Sequence, residues 1–187
     1  MLEWLAQRRG RKRTAQDLYG SIVALSRQDG LYADFGVPDT VEGRFEILVI
    51  HMFLILDRLG QDSAQGNPLA QELVDAFFAD MDTTIRQLGV GDFSVPKKMR
   101  HLATVFDQRL NGYRDATEAP GSDQLRHLLA ENIELKDGGK NGPAGYLEKY
   151  IVAAMQRLAQ QTTGEAIERL ISGTTPFPGA DSSQAGP

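Results

Sequence analysis

The chain has 187 residues, a net charge of −5, 41% hydrophobic and 24% charged residues, which is the length of one domain with enough apolar side chain for a core and enough charge for a wetted surface. It contains no cysteine, so a disulfide framework, a thiolate nucleophile, an iron–sulfur cluster and a zinc–thiolate site are excluded. The longest strongly apolar run, Ile47 to Leu56, is ten residues, whereas a membrane-spanning helix needs roughly 20.

Charge is unevenly spread. Residues 1–13 carry Arg8, Arg9, Arg11, Lys12 and Arg13 against Glu3, a net of +4, which leaves −9 on the other 174 residues. This basic arm lacks the apolar core of a secretory signal, so the chain is expected on the cytoplasmic side. The arm has three readings. Its cations beside Trp4 suit an anionic membrane surface, the same charges suit ribosomal RNA, and a disordered solubilising arm needs neither.

From Thr14 the pattern is helical. Leu18, Ile22 and Leu25 recur on one face up to Gly30. The segment from Leu31 to Pro38 breaks the period, and Asp39 with Glu42 has the form of a capping box for the next helix. That helix, about 40–59, is the most apolar element. Phe45, Leu48, Met52 and Leu56 lie on one face and Ile47, Ile50 and Leu54 on the opposite side, so other helices must surround it. Asn67-Pro68 opens a third helix to about Leu88, with Leu73, Phe77, Met81 and Leu88 expected to face inward. The short link from Gly89 to Ser94 makes the fourth helix, about 95–117, its antiparallel neighbour. A fifth helix follows Ser122. The Gly-rich stretch from Lys136 to Gly145 is expected to be a mobile loop, and two helices at about 144–161 and 163–172 follow, the last opened by a Thr162–Glu165 capping box. Residues 173–187 read as a disordered tail. The expected fold is an all-α, single-domain bundle of about seven helices around the apolar helix, with an arm at 1–13 and a helical domain at 14–172.

Motifs for chemistry are missing. No two histidines are four apart, and no phosphate-binding loop or nucleophile elbow occurs. Asp75, Asp80 and Asp82 cluster, but helical residues two apart diverge by about 200°, and Asp82 suits a surface pair with Arg86 better than a metal. His51 is the one polar residue in the apolar run; it is either a satisfied core histidine or a group meeting the head of a quinone or lipid tail in a pocket. Gly43 in the first turns of the apolar helix points to close backbone packing or a partner's approach. Tyr32, Phe35 and Val37 either plug the end of the bundle or form a docking patch. Lys97, Lys98 and Arg100 oppose the dipole at a helix start, which is easier to understand if something anionic is met there.

Three stretches carry a resemblance: Leu31-Tyr-Ala-Asp-Phe-Gly-Val-Pro-Asp-Thr-Val-Glu-Gly-Arg-Phe-Glu46 with the apolar run to Leu59, Asp80-Met-Asp-Thr-Thr-Ile-Arg-Gln-Leu-Gly-Val-Gly-Asp92, and Val95-Pro-Lys97. Over roughly residues 14–172 the chain resembles the ubiquinol–cytochrome c chaperone family. The resemblance implies a non-catalytic assembly factor for the cytochrome bc1 complex, without cofactor, metal or catalytic residues, that holds newly made cytochrome b at the membrane. A second assembly factor and the ribosome are further implied partners, and DNA is not. Within these stretches and the basic patch after Pro96, the candidates for client or partner contact are Tyr32, Phe35, Val37, Asp39, Arg44, Glu46, Arg86, Gly89, Val90, Gly91, Asp92, Lys97, Lys98 and Arg100. Trp4, Arg8, Arg9, Arg11, Lys12 and Arg13 are candidates for membrane or ribosome contact. The chain departs from the family in having Phe106-Asp-Gln-Arg109 where relatives typically have Phe-Tyr-Gly-Arg, a loss of one aromatic residue and one glycine.

Overall fold

The apolar run lies within α3 (Val41–Gln61), where twelve residues are buried, among them every residue from Glu46 to Ile55. A computed structural model describes residues 2–61, 66–118, 123–135, 142–175 and 177–178. Around α3 pack α1 (Leu2–Ser26), α4 (Pro68–Gln87), α5 (Val95–Glu118), α6 (Gln124–Ile133) and α7 (Pro143–Ala159), while α8 (Thr163–Ile171) closes on α1. With the one-turn α2 (Asp29–Ala33) there are eight helices and no strand among the described residues. The helix beyond the seven expected is α2, which the broken periodicity around Leu31 concealed. No described helix is long and apolar enough to cross a membrane.

Three local expectations change. The first helix begins at Leu2 rather than near Thr14, so the basic segment is continuous with a helix whose second half buries Leu18 and Ile22. Thr40, not Asp39, caps α3, because its Oγ1 accepts from the Gly43 amide at 3.1 Å. The tail keeps an ordered contact, since Phe177 is buried against the rings of His51 and Tyr150. Most of the Gly-rich loop and residues 179–187 lie outside the described residues. Elsewhere the punctuation holds. Asn67 caps α4 through the Leu69 amide, Gly89 turns out of α4 at φ +79°, and Thr162 with Glu165 forms a full capping box.

Gly43 shows why the apolar helix tolerates glycine near its start. The chain enters α3 so tightly that a Cβ at 43 would lie 2.1 Å from the Pro38 carbonyl oxygen, and backbone cannot yield as a flexible side chain can. Gly43→Ala is therefore expected to destabilise the fold by about 1–3 kcal/mol in chemical denaturation, despite alanine's better helix propensity.

Candidate functional site

Two polar residues interrupt the buried face of α3, and each is met by a different neighbour. Glu46 is 5% exposed; Arg109 of α5 donates to both of its carboxylate oxygens, at 2.9 and 3.0 Å. The Tyr113 hydroxyl, 3.5 Å from Glu46 and 3.4 Å from the Asn132 side chain, links the pair to α6. Burial raises the Glu46 carboxyl, and Arg109 opposes that rise without cancelling it. This placement corrects Glu46 as a partner-binding candidate, because its oxygens are spent inside the bundle. Phe106 stacks on Phe77 with centroids 4.6 Å apart. The two residues retained in Phe106-Asp-Gln-Arg109 thus hold the core, and the departure falls on exposed Asp107 and Gln108.

His51 is fully buried. Its Nδ1 lies 2.8 Å from the Ile47 carbonyl oxygen and its Nε2 lies 2.8 Å from the Tyr150 hydroxyl. The first contact makes Nδ1 the protonated nitrogen, so Nε2 accepts from Tyr150. Desolvation lowers the imidazole pKa to about 4. Both nitrogens are engaged and Phe177 packs on the ring at 5.5 Å, the filled surroundings of a core histidine. A cleft of about 250 Å³ between α3 and α7 is lined by Leu54, Arg58, Met155 and Leu158, not by His51.

The remaining candidates fall on two surfaces. At the edge formed by α2 and the start of α3, Phe35 and Val37 are 1% and 3% exposed, so they plug the bundle and are corrected as docking residues. Phe35 packs on Tyr146 and Tyr150. Outside this plug lie half-buried Tyr32, whose hydroxyl donates to the Ser26 carbonyl at 2.6 Å, and Arg44, which clasps both oxygens of Asp39 and stands over the Tyr32 ring. The Arg44 guanidinium holds the Asp39 carboxyl below its usual range. Val41 beside them is exposed.

The second surface is the turn between α4 and α5. Arg86 donates to Asp82 at 2.7 Å and to Asp92 at 2.7 Å, and the Ser94 amide donates to the Gly91 carbonyl at 2.8 Å, so Arg86, Gly89, Val90, Gly91 and Asp92 form one braced turn. Lys97, Lys98 and Arg100 follow it, all exposed. Two residues stand out here: Leu88, expected to face inward, is 65% exposed because it lies past the end of α4, and Phe93, which no expectation covered, is 103% exposed. The available signal for Phe93 was an aromatic residue in a six-residue glycine-bearing link, where no helical period can bury it. Tyr19 was also missed; its hydroxyl donates to Asp80 at 2.7 Å and ties α1 to α4. Asp75, Asp80 and Asp82 therefore have separate partners, Gln71, Tyr19 and Arg86. On α1, Arg8, Arg9, Lys12 and Arg13 are exposed and Arg11 is partly covered. The side chain of Trp4 lies outside the described residues.

The family model for the ubiquinol–cytochrome c chaperone matches residues 33–170, a span that includes the α3 spine and the braced turn. The chain belongs to this chaperone family. It is similar along its whole length to the crystal structure of the Cbp3 homolog from Brucella abortus, with 35% identity, a TM-score of 0.77, and coverage of 98% of this chain and 99% of that one. It is 22% identical over 102 residues to ubiquinol-cytochrome-c reductase complex assembly factor 1 of Xenopus laevis, covering 54% of this chain and 51% of that protein. The assembly factor 1 of Mus musculus is 24% identical over 102 residues, covering 35% of the mouse protein. The chaperone-family chain thus spans about half or less of these two curated relatives.

Two outcomes follow from the buried polar groups. Removing the guanidinium in Arg109→Met leaves the Glu46 carboxylate without its cation and is expected to cost about 2–4 kcal/mol in denaturant unfolding, with much of the loss recovered by adding Glu46→Gln. The unfolded imidazole takes up a proton near pH 6.5, whereas folded His51 does so only near pH 4. Stability from neutral His51 is therefore complete above pH 6.5 and falls as the pH drops toward 4, by about 3 kcal/mol in all. Glu46, with its pKa raised, acts in the opposite sense, so the diagnostic measurement compares wild type with His51→Gln, whose unfolding free energy loses that acid slope.

Proposed function

We propose that this chain is a non-catalytic assembly factor for ubiquinol–cytochrome c reductase, the bc1 complex, and that it holds newly made cytochrome b at the membrane surface. The observation that carries the reading is the family match over residues 33–170. The names of the Xenopus and mouse relatives support it. So does the use of the interior polar groups, because His51, Glu46, Tyr113 and Tyr150 bond to one another or to backbone within the bundle. A quinone or lipid carrier would need an opening beside His51, where Tyr150 and Phe177 are packed instead.

The client contact in this reading is the outer α2–α3 edge. Tyr32, Val41, Asp39 and Arg44 combine a partly exposed aromatic ring, an exposed aliphatic group and an ion pair in a small area, a mixture suited to an apolar chain with polar ends. The basic start of α1 supplies a contact for an anionic membrane or for ribosomal RNA, and a second assembly factor is a further partner. DNA is not among them, because the body beyond residue 13 carries −9.

A strain lacking this chain is expected to accumulate less cytochrome b and less assembled bc1 complex, read by haem spectra and native gels. Crosslinking in growing cells should recover cytochrome b with the wild type and several-fold less with Tyr32→Ala/Arg44→Glu. Normal bc1 levels in the deletion strain would sink the function. Unchanged recovery with the double variant would sink the assignment of the edge.

A further inference from the structure

The turn between α4 and α5 presents its most apolar groups to water. Phe93 at its tip is fully exposed and Leu88 at the end of α4 is 65% exposed; the other exposed large apolar side chains among the described residues, Val41, Val152 and Ile171, are all aliphatic and lie on other elements. Burial was available elsewhere, since Val95, two residues beyond Phe93, is only 1% exposed. The turn is also held in shape. Arg86 ties Asp82 to Asp92 and the Ser94 amide closes on Gly91, so Phe93 is displayed by a braced turn.

Charge identifies the occupant. Between Arg86 and His101 there are four cations and one carboxylate, a net of +3, although the body as a whole is acidic. Arg86 is shared between Asp82 and Asp92, which leaves Lys97, Lys98 and Arg100 as the free cations of the adjoining first turns of α5 among the described residues. These three are exposed and make no ion pair among the described residues. An exposed aromatic and an exposed leucine next to unpaired cations match the layered chemistry of an anionic bilayer, with apolar groups entering below the headgroups and cations remaining at the phosphates. An apolar protein partner would meet the ring but would leave the three cations without counter-charge, and an RNA would meet the cations but would leave Leu88 idle.

We propose that the α4–α5 turn is a membrane-inserting contact, in which Phe93 and Leu88 enter the interface of an anionic lipid surface and Lys97, Lys98 and Arg100 bind its phosphates. Its residues differ from those of the basic start of α1 and of the α2–α3 edge. It does not rest on the identity of the client.

The test uses the full chain and vesicles of phosphatidylcholine, with and without phosphatidylglycerol, in sedimentation assays. The wild type is expected to bind the anionic vesicles and to be released by salt. Leu88→Ser/Phe93→Ser and Lys97→Gln/Lys98→Gln/Arg100→Gln should each weaken binding by about tenfold, with unchanged helicity and unfolding midpoint because all five side chains are exposed. A direct readout uses Phe93→Trp in a Trp4→Phe background, where the single indole sits at the tip of the turn. Its emission should shift to the blue on anionic vesicles and be quenched by brominated lipid. The proposal is overturned if that indole emission is unmoved by vesicles to which the protein binds, or if both multiple variants bind like wild type while deletion of residues 2–13 abolishes binding. Failure here leaves the bc1 assembly role standing, and normal bc1 levels in the deletion strain leave the vesicle result standing.

Discussion

A helix that is apolar on all sides cannot lie against water, and α3 is such a helix over the ten residues from Glu46 to Ile55. Five other helices pack on it, and their arrangement follows from the need to cover it. The two polar side chains within it restrict that cover further. Glu46 requires a cation and receives it from α5; His51 requires a donor and receives it from α7 through Tyr150. Each buried polar group costs free energy in any arrangement that leaves it unpaired. Together they select one packing of α5 and α7 against α3 from the many that apolar contact alone would allow.

The same economy separates interior from surface. Glu46 and His51 are bonded within the bundle, and the contact residues proposed above lie on the α2–α3 edge, the α4–α5 turn and the start of α1. The proposed holding role needs this division: a rigid body, and exposed patches that do not collapse onto it. The tight entry into α3 at Gly43 and the Arg86 bridge across the α4–α5 turn fix those patches in place. Both devices are made by short stretches of sequence, so each patch is shaped locally while its position is set by the bundle.

Periodicity and punctuation made most of the fold legible. The spacing of Leu18, Ile22 and Leu25, the Asn67-Pro68 start, Gly89 and the Thr162–Glu165 box mark helices through interactions within a few residues, which a linear reading can follow. The miss at α2 has a physical cause, because a single turn is too short to display a period. Phe177 was missed for another reason. A lone aromatic residue among Pro, Gly and Thr has no local pattern, and only its contact with His51 and Tyr150 gives it a place.

For this protein the sequence by itself determined the helical class, the central position of α3, the exclusion of thiol chemistry and, through its ordered motifs, the chaperone family. The tertiary structure decided which candidate residues face outward. Glu46, Phe35 and Val37 belong to motifs that suggested contact with partners, yet they are consumed by the core, while Phe93, marked only by its place in the glycine-bearing link, stands in water. Local spacing records what a residue does within its own helix. Burial depends on which helices arrive from far along the chain, and Arg109 reaching Glu46 across 63 positions is information that no short window contains.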